Sequence, residues 1–126
     1  MAGQNLLGLN LSNANLNSAN LSNTNLSYAN LNNANLSNRI LSGANLNNTI
    51  LTGVNLTGVN LTGVNLDGVN LTGANLSKAN LSKTDLTNTN LTNTILTGAN
   101  LSLASLQYGE LSGYNLTGAD FTDSGL

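Results

Sequence analysis

Leucine stands at every fifth position from Leu6 to Leu126, interrupted once, by Phe121. Two places before each leucine comes a small or β-branched residue, such as Ala14, Ala19, Thr24, Val54, Val59 or Ala74. The place between is mostly Asn. After the leucine comes Ser or Thr, then Gly or Asn. The word is purest in Leu51 to Gly73, which reads LTGVNLTGVNLTGVNLDGVNLTG. Residues 2–126 form 25 pentads with no insertion or deletion. A fixed short period marks a repeat architecture, and it takes precedence over window-by-window readings of helix and strand.

The period excludes both regular elements. Five residues turn an α-helix by about 500°, so the leucines would spiral around it. In a strand they would fall alternately on opposite faces. A chain that turns a corner every five residues can bury all of them. Each side is then a short extended piece pointing its centre residue inward.

The corners are visible too. The second residue after the centre is Gly or Asn in 17 of 24 pentads. Those two residues enter the left-handed region most readily, and a type II turn requires it at its third position. Ser18, Tyr28, Lys78, Lys83, Leu103, Tyr108 and Asp123 break this rule. Another turn type is expected at those corners.

Ala14-Asn15-Leu16-Asn17-Ser18, Ala19-Asn20-Leu21-Ser22-Asn23 and Ala74-Asn75-Leu76-Ser77-Lys78 match the pattern A(D/N)LXX. In this, and over essentially its whole length, the chain resembles the pentapeptide-repeat family. The resemblance implies an all-β fold, a right-handed quadrilateral β-helix (β-solenoid) of about six coils of four pentapeptides, with centre residues filling the bore. At a ladder spacing of ~4.8 Å per coil such a rod is roughly 30 Å long. Residues 1–126 read as a single domain.

Composition narrows the picture further. Aromatic residues make up 3% and charged residues 6% of the chain, too few for an ordinary globular core. A stack of leucines needs neither. No Cys is present, so disulfides and thiolate metal sites are excluded, and no Pro interrupts the ladders. A net charge of −2 leaves no basic footprint for nucleic acid. The start MAGQNLLGLNLS has no basic n-region, and no 18-residue apolar run exists for membrane insertion. The expected place is cytoplasmic by default, or extracellular if the rod forms a filament.

Several positions depart from the word. Arg39 occupies an inward slot whose column neighbours, one coil away, are Ala19 and Val59. A bare guanidinium in an apolar bore is very costly, so a local bulge that lets it reach solvent is expected. The sharper reading is an anion or partner contact. Ile40, Ile50 and Ile95 replace Asn on three different sides and read as scattered surface apolars. Lys78 and Lys83, with Asp85 nearby, read as a solvated charge cluster. Residues 102–116 are irregular, with Leu103, Gly109, Glu110 and Tyr114 in unusual slots. There the coil is expected to loosen.

No catalytic constellation exists. The chain has no His and no Cys, so its many serines lack an imidazole base. Asp67, Asp85, Glu110, Asp120 and Asp123 are its only acids, and no phosphate-binding motif occurs because the glycines come singly. The expectation is no enzyme, no cofactor and no metal. A structural rod, a protein-binding module and an ice or ordered-surface binder remain as classes. The resemblance brings in gyrase-protecting members, which imitate duplex DNA through one strongly acidic side. Five carboxylates cannot imitate one charge per ~1.7 Å. Threonine columns such as Thr52, Thr72 and Thr92 suit an ordered surface, yet stacked like residues occur in ladders for their own hydrogen bonding. The structural reading is preferred: a rod that associates end to end with copies of itself through Leu6, Leu7 and Leu9 at one end and Phe121 and Leu126 at the other, with another protein as the alternative partner. Unpaired ladder edges invite such pairing.

Overall fold

The computed structural model describes residues 1–106 and 114–125. Tyr108, Gly109, Glu110 and Leu126 lie outside the described residues. The backbone repeats one corner and one side per pentad, and the described residues contain no helix. Parallel bridges pair sides twenty residues apart, as in Asn15↔Asn35, Asn35↔Asn55, Asn55↔Asn75, Asn75↔Ile95 and Ile95↔Asn115, with none between Asn20 and Ile40 or between Asn45 and Asn65. The architecture is a β-helix in which twenty residues complete a coil.

Its hydrogen bonding follows from one pentad. Val54 donates its N–H to the Leu51 carbonyl at 3.3 Å and closes the turn. Asn55 donates to Ala34 O in the coil below at 2.9 Å. Leu56 and Gly58 donate upward to Asn75 O and Ser77 O, both at 2.8 Å. The remaining N–H, that of Thr57, goes to the Asn55 side-chain Oδ1 at 3.1 Å. All five donors are satisfied, as a largely buried backbone requires. The Asn excess follows from this. The residue after the centre sits in the turn, out of reach of either neighbouring coil, and only a side chain two places back can accept its proton.

The same geometry explains why no strand longer than a single bridge residue forms among the described residues, where a short extended piece was expected. Two of the five residues belong to the turn, and only the residue before the centre pairs through both its N–H and its carbonyl. In the corners, Tyr28, Lys78, Lys83, Leu103 and Asp123 take φ values of 54–59°, the same left-handed conformation as Gly and Asn. The expectation of another turn type is thus corrected for these five. The ladder fixes the corner, and the side chain bears the strain. Ser18 is the one described corner outside that conformation.

Leucines from Leu16 to Leu106 are buried in the bore, flanked by Ala, Val and Thr of the small-residue slot. Leu6, Leu11, Leu116 and Phe121 are partly buried and pack against that core. Burying a leucine contributes roughly 1.5–3 kcal/mol, so the stack supplies the main stabilisation. Thr49, Thr84, Thr89 and Thr94 are buried as well, and each donates its hydroxyl to a leucine carbonyl of the coil below, at 2.8–3.0 Å. No buried side-chain polar atom among the described residues is left without a partner. Residues 102–106 remain regular, with Leu103 N–H bonded to Thr122 O at 2.9 Å and Ser105 bridged to Gly125. This corrects the expected loosening there. Tyr114 is half-buried against the core.

Candidate functional site

Two places on the rod stand out from its mostly polar surface. The first is a corner near the start. Leu7 and Leu9 flank the turn residue Gly8, and Tyr28 occupies the same corner one coil above. Leu7 is 52%, Leu9 45% and Tyr28 65% exposed. The register joins them: Gly8 donates its N–H to Ser27 O at 2.9 Å, which seats the Ser27–Tyr28 turn over Gly8. Leu6, by contrast, points into the bore, and Phe121 does the same at the other end. The structure therefore divides the sequence-predicted association residues into exposed ones, Leu7 and Leu9, and core ones, Leu6 and Phe121. Tyr28 was missed as part of this site, because it was read only as an irregular corner. The offset of twenty from Gly8 was the signal available.

The second place surrounds Arg39. In place of the expected bulge, Arg39 keeps its register, with its N–H on Leu36 O at 3.3 Å, and stands half-buried beside a half-open cleft of about 230 Å³ lined by Ser18, Ala19, Asn20, Asn38, Arg39 and Ile40. Asn20 and Ile40 form no bridge with each other. Ile40, Ile50 and Ile95 are all exposed and lie on separate sides, as expected.

Charged groups elsewhere are held locally. Asp85 and Asp120 replace the capping Asn. Thr87 donates its N–H to Asp85 at 3.0 Å, and Thr122 donates N–H and hydroxyl to Asp120 at 2.9 and 2.6 Å. These donors, the threonine hydroxyl first and the N–H second, hold both carboxyls below their ordinary range. Among the described residues no three His, Cys, Asp or Glu side chains converge, and no helix is long and apolar enough to cross a membrane.

The model of the pentapeptide repeats, in eight copies, matches residues 1–28, 29–68, 55–93 and 84–123. The chain belongs to the pentapeptide-repeat family. Among solved structures, this pentapeptide-repeat protein is similar to HetL, a pentapeptide repeat protein involved in heterocyst differentiation regulation from the cyanobacterium Nostoc sp. strain PCC 7120. The TM-score is 0.70 at 35% identity, over 97% of this chain and 59% of HetL. The chain thus spans about three fifths of that relative. A pentapeptide repeat protein from the thylakoid lumen of Arabidopsis thaliana matches with a TM-score of 0.45 at 25% identity, over 97% of this chain and 64% of the other. A third, from the cyanobacterium Cyanothece 51142, has a TM-score of 0.35 at 31% identity, over 98% and 84%. No curated protein sequence matches the chain.

Proposed function

We propose that this chain is a non-catalytic scaffold rod that binds protein, in the first place copies of itself. The observation that carries the reading is the exposed corner where Leu7, Leu9 and Tyr28 come together, whereas the exposed Ile40, Ile50, Ile95 and Leu103 fall at different positions around the coil. Aromatic and aliphatic side chains held on a rigid backbone are suitable interface anchors, because little conformational freedom is lost on contact. The absence of His and Cys supports a role without chemistry. The finer architecture we assign is one domain over residues 1–126, right-handed, with six coils of four pentads and one further side. The finer mode of association is end to end, with Leu6, Leu7 and Leu9 of one copy against Phe121 and Leu126 of the next. A head-to-tail joint of that kind builds an open filament unless its rotation closes. Low charge leaves little repulsion to oppose it.

Sedimentation velocity across a tenfold rise in concentration tests this reading. Species larger than the monomer are expected to grow with concentration, and Leu9→Lys with Tyr28→Lys should dissolve them while the circular-dichroism spectrum is unchanged. A monomer throughout the range would overturn self-association. Larger species that survive the double substitution would remove this corner from the interface.

A further inference from the structure

Around Arg39 the regular ladder is replaced by something else. In an ordinary joint the second residue after a centre donates its N–H to a carbonyl nineteen positions on, as Asn38 does to Thr57 O at 2.7 Å. By that rule Ser18 would donate to Ser37 O. Instead the Arg39 Nε–H takes the Ser37 carbonyl, at 3.2 Å. The neighbouring rungs are lost with it: Ile40 N–H does not reach Ala19 O, and Leu21 N–H does not reach Ile40 O. The joint above is intact, with Asn60 N–H on Arg39 O at 2.8 Å and Leu41 N–H on Asn60 O at 2.9 Å. At this side of the rod the opening lies below the guanidinium and not above it; one corner on, the joint above also lacks rungs, since the Gly43, Leu46 and Asn48 N–H groups have no backbone acceptor. The opening below coincides with Ser18, the one described corner that leaves the left-handed conformation.

The opening carries a set of unused donors. The guanidinium makes no hydrogen bond to the described residues beyond the one from Nε. The N–H groups of Ser18 and Ile40, both residues of the cleft wall, have no acceptor among the described residues either. The wall also holds apolar surface, from Ala19 and from Ile40, which is 53% exposed. The described acids lie elsewhere: Asp85 is on the adjoining side of the rod and Asp67 at the corner beyond that side, Asp120 is four coils away on the same side, and Asp123 stands at the corner that follows Asp120. Lys78 stands at the same corner as Asn38, two coils on, and adds positive potential along that edge.

We infer that this cleft binds a carboxylate borne on a short carbon chain, with the Arg39 guanidinium and the Ser18 and Ile40 N–H groups as donors and Ala19 and Ile40 against the carbons. The guanidinium fork matches a carboxylate in geometry. One cation facing one monoanion leaves the cleft neutral, whereas a phosphate dianion would leave it negative. These donors meet only solvent in the half-open cleft and are available to such a ligand, to which the guanidinium would make charge-assisted bonds, the stronger kind. The site is independent of the apolar corner at Leu7, Leu9 and Tyr28, and its failure would leave that reading untouched.

Arg39 is the only arginine in the chain, so its Nε–H gives a single side-chain signal in a nitrogen–proton correlation spectrum. Sodium butyrate, acetyl-glutamate amide and sodium phosphate are titrated separately at ionic strength held constant with sodium chloride. Butyrate is expected to shift the Arg39 Nε–H, Ser18 and Ile40 signals saturably. Arg39→Lys should weaken binding at least tenfold by removing the fork, and Arg39→Val, which restores the residue type of its neighbour Val59, should abolish it in a folded rod. Tighter binding of acetyl-glutamate amide than of butyrate assigns the carboxylate to a partner protein's side chain, and the reverse assigns it to a free small acid. No saturable shift, saturation by phosphate alone, or undiminished binding by Arg39→Val would each overturn the inference.

Discussion

Thr49 lies in the coil above Leu26 and donates its hydroxyl to the Leu26 carbonyl at 2.9 Å. The same oxygen accepts the Ala29 N–H that closes the turn, at 3.0 Å. Both lone pairs of a buried carbonyl are thereby used, one along the chain and one between coils. Val occupies the equivalent slot at Val54, Val59, Val64 and Val69, so the shape tolerates an isostere. Thr49→Val is expected to cost about 1 kcal/mol in chemical denaturation, the net contribution of one hydrogen bond. An unchanged midpoint would mean that the hydroxyl contributes nothing.

Neighbouring positions should respond very differently to substitution. Leu61 is fully buried between stacked leucines, and Leu61→Ala should cost roughly 2–5 kcal/mol through the cavity it opens. Asn60 faces outward and accepts the Thr62 N–H and hydroxyl at 3.0 and 2.7 Å. Asn60→Ala should cost about 1–2 kcal/mol, because it orphans the Thr62 N–H. Equal losses in a denaturation series would show that the inward column is misassigned.

Ile50 supplies the converse experiment. It stands where Asn caps the following turn, and Thr52 N–H has no side-chain acceptor as a result, while Thr72 and Thr92 in the same column are capped by Asn70 and Asn90 at 3.0 Å. Ile50→Asn should raise stability by about 1 kcal/mol while removing exposed apolar surface. A loss instead would show that Ile50 makes a contact worth more than the cap.

Corners separate backbone strain from crowding. Gly63 has φ +67 and open space where a Cβ would stand, so Gly63→Ala should cost about 1–2 kcal/mol from strain alone. At Gly53 a Cβ would meet the Asn33 side-chain oxygen, which is free to swing away, so Gly53→Ala should cost nearly the same. Leu103 holds φ 58 with its side chain exposed, and Leu103→Gly should be neutral to stabilising, as relief of strain offsets the freedom that glycine adds to the unfolded chain. Melting temperatures of the three variants decide the order.

Acid stability should depend on two carboxylates. Asp85 and Asp120 have their folded pKa values lowered from 3.8 by the Thr87 and Thr122 hydroxyls and N–H groups. A lowered carboxyl contributes stability that is present above the unfolded value and lost as pH falls through the folded one. The melting temperature is therefore expected to be flat from about pH 5 to 8 and to fall below about pH 4. Asp85→Asn with Asp120→Asn, which keeps both caps, should flatten the acid limb. An unchanged acid limb would place the titration elsewhere.

What was legible in the sequence is what repeats within five residues. The inward leucines, the small flanking slot and the left-handed corner are local properties, and each pentad states them again. That coils lie twenty residues apart, with Leu16, Leu36 and Leu56 in one column, was implied by the resemblance to the family, because a five-residue period alone does not set the number of sides. Three things came from the tertiary structure alone. The corners at Tyr28, Lys78, Lys83, Leu103 and Asp123 keep the common turn, because rungs above and below outweigh the local preference of one side chain. Asn acts as a cap because the turn N–H is out of reach of both neighbouring coils, a fact of pitch that no single pentad contains. Arg39 opens the joint below it and not the one above, because its Nε competes for Ser37 O in its own coil, the carbonyl that the rung from Ser18 would need. A residue's own preferences are written in its neighbours along the chain. Its competitors for a carbonyl stand a full coil away, and only the closed geometry brings them together.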